Sequence, residues 1–150
     1  MKVVVQRVKE GGVYIEHKKY KVKIGKGYVI LLGIKTGDTE NDAIYLADKC
    51  SALRIFEDAN GKMNLSINEI MGDALVISQF TLYGNASKGN RPSFIEAARP
   101  NEAENLYKIF VQRLKEKIGK EKVFTGIFAE MMEIKIINDG PVTIIINSKE

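Results

Sequence analysis

The stretch Glu133-Ile134-Lys135-Ile136-Ile137-Asn138-Asp139-Gly140-Pro141-Val142-Thr143-Ile144-Ile145-Ile146 decides how the C-terminal part of this chain folds. Two β-branched runs flank a Gly-Pro pair, and the Asn-Asp before that pair favours a turn. Proline has no N–H for a ladder and glycine weakens a strand, so a central strand should contain neither. Two interpretations fit: a hairpin turn that joins two strands, or a rigid tip that exposes backbone groups for recognition. A cis Gly-Pro bond would turn a carbonyl in an unusual direction.

The N-terminal third alternates apolar and polar residues in the manner of short strands. We predict strands at 2–9, 13–16, 20–24 and 28–34, separated by Gly11-Gly12 and by other turn residues. Several lysines cluster near the hairpin that the predicted strands 13–16 and 20–24 would form. A solvated sheet edge that resists aggregation explains this cluster. Its members are Lys18, Lys19, Lys21, Lys23 and Lys26.

Two later segments have the spacing of amphipathic helices. The first opens at Asp38-Thr39-Glu40 and its apolar residues are Ile44, Ala47, Cys50, Leu53 and Ile55. The second begins with Asn101 and Glu104 as a capping pair and stops at Gly119. Its apolar face comprises Ala103, Leu106, Tyr107, Phe110, Leu114 and Ile118.

Between the helices, residues 74–82 have the apolar start of a buried strand and a polar end. Further strands are predicted near Val123 and from Glu133 onward. The fold class is therefore α/β in the mixed α+β sense, with a mixed sheet and two main helices. We expect residues 1–150 to form a single domain.

Composition and charge are those of an ordinary soluble globular protein, with 45% hydrophobic and 28% charged residues. No apolar run approaches the roughly 20 residues of a membrane span. One cysteine, Cys50, cannot form an intrachain disulfide, so a cytoplasmic location is expected. The net charge of +4 is compatible with a nucleic-acid partner and does not demand one.

Several kinds of catalytic site are excluded by the residues available. The single histidine, His17, sits beside a run of lysines and is interpreted as a turn residue, so a Ser-His-Asp or Cys-His arrangement lacks its base. Zinc sites need more Cys or His than this chain has, and no phosphate-binding glycine motif is present. An enzyme built on this chain must use hydroxyls, amides, backbone groups and the substrate's own groups.

Polar groups of this kind collect at Ser78-Gln79-Phe80-Thr81, the polar end of a buried strand. In a regular strand Gln79 and Thr81 point one way and Ser78 and Phe80 the other, so only one pair could line a pocket unless the strand bends. These residues could equally satisfy neighbouring backbone groups. The following basic loop, residues 88–92, suits a phosphate backbone, but a solvated surface loop explains it as well.

Taken together, these segments resemble the D-aminoacyl-tRNA deacylases over the whole chain. The motifs that carry the resemblance are Gln6-Arg7-Val8, Arg54-Ile55-Phe56, Gly61-Lys62-Met63-Asn64, Ser78-Gln79-Phe80-Thr81-Leu82, Lys88-Gly89, Arg91-Pro92-Ser93-Phe94, Thr125-Gly126, Phe128 and Asn138-Asp139-Gly140-Pro141-Val142-Thr143. The chain departs from the commonest pattern at Glu130, Met131, Asn85 and Asn90, residues of the expected pocket and tRNA-binding loop.

The resemblance implies a chiral proofreading enzyme. The family hydrolyses the ester that joins a D-amino acid to the 3′-terminal adenosine of tRNA, leaves L-aminoacyl-tRNA intact, and clears glycine from mischarged tRNA. Its members are homodimers without a metal or organic cofactor. Their fold packs β-sheet layers with helices on one side, a β/β/α arrangement with a barrel-like dimer core.

The resemblance also implies a role for particular residues. Gly140-Pro141 matches a Gly-cisPro motif that one subunit inserts into the pocket of the other, where its carbonyl oxygens hold the substrate's α-ammonium and an L side chain collides. Arg7 would brace this motif, and Phe128 and Met132 would frame the pocket. Ser78, Gln79, Phe80 and Thr81 would line the ester, with backbone N–H groups near Gln79 and Phe80 as an oxyanion hole. Lys88 and Arg91 would contact tRNA phosphates.

Two mechanisms and two other functions are compatible with these residues. Thr81 could be a nucleophile, but threonine without a base is weakly nucleophilic. The absence of a usable histidine favours the alternative, in which the adenosine 2′-hydroxyl orients or activates water. The other functions are an RNA-binding module without catalysis and a sister editing enzyme with a trans Gly-Pro bond.

Overall fold

A single long strand, β1 (Lys2–Ile15), organises the sheet. The computed structural model describes residues 1–149. In it β1 pairs antiparallel with β3 through its first half, with β2 through its second half, and with β8 along its whole length. The order of the sheet is completed by β6 and β7, which follow β3 in parallel.

The remaining elements follow in chain order. The strands are β2 (Tyr20–Ile24), β3 (Gly27–Gly33), β4 (Phe56–Glu57), β5 (Met63–Leu65), β6 (Asp73–Ser78), β7 (Val123–Thr125) and β8 (Glu133–Asn147), and the two helices are α1 (Glu40–Ala52) and α2 (Pro100–Ile118). The pair β4 and β5 forms a separate small hairpin. The mixed α+β class with two main helices is therefore confirmed.

The predicted break at Gly11-Gly12 is wrong, since β1 continues through both residues. A Cβ on Gly11 would lie 2.9 Å from Val29 Cγ2, and one on Gly12 would lie 2.9 Å from the Val22 carbonyl oxygen. These glycines therefore allow neighbouring residues to approach β1 closely, and they do not form a turn.

Two apolar cores lie on opposite faces of the sheet, because alternate residues of a strand point to opposite sides. Ala74 and Val76 face the first core, which contains both helices, while Leu75 and Ile77 face the second. The second core contains no helical residue among those described. It is built from β1, β2, β3, β6, β7, β8 and the segment between β7 and β8. The strands thus curl over their own sheet, which gives the layered β/β/α arrangement.

Helix α1 begins at the predicted place, but its buried face agrees with the prediction only at Ala47 and Cys50. Asp42 Oδ2 accepts hydrogen bonds from the Thr39 N–H (2.8 Å) and the Thr39 hydroxyl (2.7 Å), which fixes the first turn. The buried apolar side chains are Ala43, Leu46, Ala47 and Cys50. Ile44, predicted as core, is 37% exposed, and Leu53 and Ile55 lie beyond the helix.

Helix α2 has the predicted apolar face, and every residue expected on it is buried. The predicted Asn101–Glu104 capping pair is wrong, because the helix already begins at Pro100. Proline suits the first helical position since its φ is preset and its missing N–H would have no partner there. Glu104 pairs instead with Lys108, at 2.9 Å.

The Gly140-Pro141 segment is a bulge within β8, so the hairpin interpretation is wrong. Both β-branched runs pair with β1 in the same antiparallel direction. Between the pairs Gln6–Thr143 and Val8–Asn138, β1 has one residue and β8 has four. An edge strand accommodates such an insertion because one of its sides has no ladder to preserve.

No helix within residues 1–149 combines the length and the apolar character needed to cross a membrane.

Candidate active site

The Ser78-Gln79-Phe80-Thr81 segment forms a bend at the carboxyl end of parallel strands. Strand β6 ends at Ser78, and a short 3-10 turn follows over Phe80–Tyr83. The strand therefore bends at this segment and does not continue as a regular strand with alternating side chains. In sheets with parallel strands, this edge is where ligands commonly bind, because the connecting loops there present polar groups to solvent.

The bend is held against β3. The Gln79 N–H donates to the Leu32 carbonyl at 2.8 Å. A Cβ on Gly33 would lie 2.9 Å from Leu82 Cβ, so only glycine lets the turn sit this close to the strand end. The Gln79 N–H is therefore unavailable as an oxyanion donor, which corrects that part of the expectation.

The first two N–H groups of the turn remain available. Its first internal hydrogen bond runs from the Leu82 N–H to the Gln79 carbonyl. Phe80 and Thr81 precede that bond, and their N–H groups have no acceptor within residues 1–149. Both residues are exposed. Two adjacent N–H donors without an internal acceptor, on exposed residues, form an arrangement that can bind an ester oxyanion.

The Thr81 hydroxyl has an amide as its neighbour and no base. It accepts a hydrogen bond from the Gln79 side-chain Nε2. His17 lies elsewhere, in a 3-10 turn, where its Nε2 is 3.2 Å from Glu130. Burial raises the pKa of the Tyr83 hydroxyl within the turn, so this group stays protonated near neutral pH.

Phe128 and Met132 lie in the segment that follows β7, on opposite faces of the sheet. The Gly126 N–H donates to Val76, which brings this segment beside the end of β6. Phe128 packs on Tyr107 of α2, with ring centroids 5.6 Å apart, and borders an open cavity of about 500 Å³. Met132 packs in the second core, with its sulfur against Gly126.

The ends of β6 and β7 are fixed by two tyrosines that no sequence motif assigned to the site. The Tyr107 hydroxyl donates to the Val76 carbonyl at 2.9 Å, and the Tyr20 hydroxyl donates to the Thr125 carbonyl at 2.7 Å. The helical spacing of the sequence predicts Tyr107 only as part of an apolar face. A buried tyrosine hydroxyl needs a hydrogen-bond partner, so a tyrosine on an apolar helix face indicates a polar contact in the core.

Arg7, Gly140 and Pro141 lie together at the β8 bulge. Arg7 is 5% exposed; its Nε donates to the Asp139 carbonyl at 2.8 Å and its Nη1 to the Ile55 carbonyl at 2.7 Å. Gly140 and Pro141 are exposed and the peptide bond between them is cis. A buried guanidinium thus holds one end of an exposed segment.

The bulge is distant from the Ser78–Thr81 bend of the same chain. Ser78 is in register with Leu32, Leu32 with Val3, and Val3 with β8. Three strand spacings of about 4.8 Å separate β8 from β6, and Arg7 lies four residues, about 13 Å, along β1 from Val3. The two groups of residues are therefore about 19 Å apart along the sheet.

Lys88 and Arg91 lie in an exposed loop directly after the bend. The loop is closed by two hydrogen bonds between Asn85 and Ser93, of 2.8 and 2.9 Å. Neither Lys88 nor Arg91 forms an ion pair with any residue in the described range 1–149. Both cations are therefore available to a partner.

Comparison with known proteins identifies the family. The family model described as D-Tyr-tRNA(Tyr) deacylase matches residues 4–147. The chain belongs to this deacylase family. Deacylases of this family are hydrolases that act on the ester of aminoacyl-tRNA, so the expected enzyme class is confirmed.

Relatives and solved structures agree with this assignment. A D-aminoacyl-tRNA deacylase of Desulforamulus reducens is 51% identical, with 100% of this chain and 99% of the relative covered. One of Thermotoga petrophila is 50% identical with the same coverage. A structure titled c-Myc DNA Unwinding Element Binding Protein has a TM-score of 0.93 at 37% identity, and covers both chains fully.

A second structure, of a probable eukaryotic D-amino acid tRNA deacylase, has a TM-score of 0.82 at 17% identity. It covers 97% of this chain and 98% of its own. This likeness concerns the fold alone, and it agrees with the layered mixed α+β architecture of the deacylase.

Proposed function

We propose that this deacylase hydrolyses the ester between a D-amino acid and the 3′-terminal adenosine of tRNA, releasing the D-amino acid and free tRNA. The observation that carries the proposal is the Ser78–Thr81 bend, which presents two free N–H groups beside a hydroxyl without a base. The chain that contains it is 51% identical over its full length to a D-aminoacyl-tRNA deacylase.

The chemistry is an attack of water on the ester carbonyl. The N–H groups of Phe80 and Thr81 stabilise the oxyanion of the tetrahedral intermediate, an effect worth about 100- to 1,000-fold per donor in other hydrolases. The free 2′-hydroxyl of the terminal adenosine orients the water. Support comes from the Thr81 hydroxyl, whose neighbour is an amide donor that cannot accept its proton.

Gly140 and Pro141 supply the chiral filter in this proposal. Their carbonyl oxygens hold the α-ammonium of the substrate, and an L side chain collides with the segment. A D side chain points away, so the site needs no pocket for it and accepts many amino acids. Glycine has no side chain to collide, and mischarged glycyl-tRNA is therefore a further substrate.

The filter acts in trans, so the functional unit is a homodimer. The separation of about 19 Å along the sheet prevents one chain from placing Pro141 over its own bend. The bulge is exposed on an edge strand, where a second copy can receive it. Arg7 preorganises the segment through its bond to Asp139.

The tRNA body is held beside the bend by Lys88 and Arg91, whose exposed cations suit phosphate groups. Phe128, at the open cavity beside α2, borders the pocket that receives the terminal adenosine and the aminoacyl group. Met132, which was expected to frame the same pocket, supports this segment from the opposite face of the sheet. The enzyme works in the cytoplasm. Burial raises the pKa of Cys50, its one thiol, to about 12, and this thiol is not needed for the reaction.

The deciding experiment compares D-tyrosyl-tRNA, L-tyrosyl-tRNA and glycyl-tRNA under single-turnover conditions. We expect rapid hydrolysis of the D ester, measurable hydrolysis of the glycyl ester and no hydrolysis of the L ester above the rate in buffer. Binding of the tRNAs without turnover would establish an RNA-binding module instead. Equal hydrolysis of the D and L esters would rule out the chiral filter and favour a sister editing enzyme.

A further inference from the structure

Phe94 forms an exposed aromatic pair with Phe80 of the catalytic bend. The two ring centroids are 5.2 Å apart and the rings meet edge to face. Phe80 is 58% exposed and Phe94 39% exposed, so burial in the apolar core does not account for the contact. An edge-to-face pair of this kind constrains the orientation of both rings.

The loop that carries Phe94 is fixed on both sides of this residue. The Asn85–Ser93 pair closes it before Phe94. After Phe94, the Thr36 N–H donates to the Glu96 carbonyl and the Ala98 N–H to the Ile34 carbonyl, each at 3.0 Å. The ring of Phe94 is therefore presented to Phe80 by backbone bonds that join the loop to the extension of β3.

Gly84 lets the ring of Phe94 lie against the backbone of the bend. A Cβ added at Gly84 would lie 2.8 Å from Phe94 Cε1 and 3.0 Å from the Thr81 carbonyl oxygen. That carbonyl also accepts the Gly84 N–H at 2.9 Å. Phe94 thus contacts the ring of Phe80 at the start of the turn and the backbone of Gly84 at its end.

We propose that Phe94 is a positioning residue for the deacylation reaction, which holds Phe80 and Thr81 so that their N–H groups point at the ester oxygen. This inference rests on the proposed function of the bend. On the inner side, the Gln79–Leu32 hydrogen bond and the Gly33–Leu82 contact fix the bend. Phe94 is the contact that fixes its outer side, where the substrate arrives.

The test compares Phe94→Ala with Phe94→Tyr, which keeps the ring, and with Ile95→Ala. Ile95 is a matched control because it neighbours Phe94 and is 88% exposed. Single-turnover rates are measured on D-tyrosyl-tRNA and on a D-tyrosyl ester of a CCA trinucleotide, which lacks the tRNA body. Thermal denaturation of each variant reports whether the fold is retained.

Phe94→Ala should lower the maximal rate about 10-fold or more on both substrates, as misplaced catalytic groups do. Phe94→Tyr should restore most of the rate, while Ile95→Ala should match the wild type. The inference is overturned if Phe94→Ala equals Ile95→Ala, or if it raises only the KM for the full tRNA. Absence of hydrolysis by the wild type would instead count against the proposed function itself.

Discussion

At the scale of single residues, the reactivity of the bend depends on which groups are already hydrogen-bonded. The Thr81 hydroxyl accepts a hydrogen bond from the side-chain amide of Gln79. The backbone N–H of Gln79 donates to the Leu32 carbonyl of β3. In the proposed mechanism, the protein therefore contributes hydrogen bonds from two backbone N–H groups. A reaction of this kind draws its nucleophile from solvent and its orientation from the substrate.

Thr81→Ala should therefore slow the hydrolysis of D-tyrosyl-tRNA without abolishing it. We expect a loss of about 10- to 100-fold, because one hydrogen-bonding group is removed and the backbone donors remain. Single-turnover kinetics measure the rate, and filter binding measures the affinity for tRNA. A complete loss of turnover with tRNA binding intact would identify Thr81 as the nucleophile and contradict the RNA-assisted mechanism.

At the scale of elements, the beginning of α1 is stabilised by an ionised carboxylate. Burial alone would raise the pKa of Asp42, but hydrogen bonds from Lys149 and Thr39 outweigh it and hold the pKa well below its usual range. Lys149 Nζ is 2.9 Å from Asp42 Oδ2. A carboxylate with a lowered pKa stabilises the fold above the unfolded-state pKa of about 4, and this stability is lost as the pH falls further.

The free energy of unfolding should accordingly fall as the pH is lowered from 5 to 2.5, and Asp42→Asn should flatten this dependence. Urea denaturation at fixed pH values measures both. We expect the variant to lose about 1–3 kcal/mol at pH 7, where the wild-type carboxylate is ionised, and to approach the wild type at low pH. Parallel curves for the two proteins would show that Asp42 does not carry the acid dependence.

At the scale of the whole molecule, the separation between the bulge and the bend predicts that two chains build each site. A mixed dimer tests this. Thr81→Arg blocks the bend at an exposed position, and Gly140→Val disrupts the bulge because its φ is +148° and a Cβ there would lie 2.5 Å from Val142 N. Each variant alone should hydrolyse D-tyrosyl-tRNA poorly.

A 1:1 mixture of the two variants, after subunit exchange, should regain about a quarter of the wild-type activity. Half of the dimers are mixed, and each of these has one intact site of its two. The deacylation rate of the mixture measures the effect, and sedimentation verifies the dimer. If both groups belonged to one chain, the mixture would have only the mean activity of the two variants.

The pattern of apolar and polar residues in the sequence predicted several elements of the fold. The apolar face of α2, the start of α1 near Thr39 and the position of the polar strand end at Ser78 follow from local spacing and from turn chemistry, which depend on neighbours in sequence. The single histidine ruled out acid–base triads before any geometry was known. That residues 1–150 form a single domain stays a prediction.

Other features could not be predicted, since they depend on residues far apart in the chain. Gly11-Gly12 resembles a turn until the closeness of β2 and β3 is known. The wrong cap at Asn101 has a different cause, because the adjacent Pro100 was a local signal for the first helical position. The N–H of Gln79 is removed from the site by Leu32, a residue 47 positions earlier in the sequence. Phe94 lies against the bend only because its loop folds back onto Phe80.

The sequence by itself determined which chemistry is possible, because side-chain inventory and local motifs are properties of the chain. The stretch around Gly140-Pro141 had to interrupt a ladder, since proline has no N–H and glycine no side chain. Only the tertiary structure decided that the interruption is a bulge and not a hairpin. That choice was made by β1, which pairs with both β-branched runs and leaves four residues of β8 opposite Arg7.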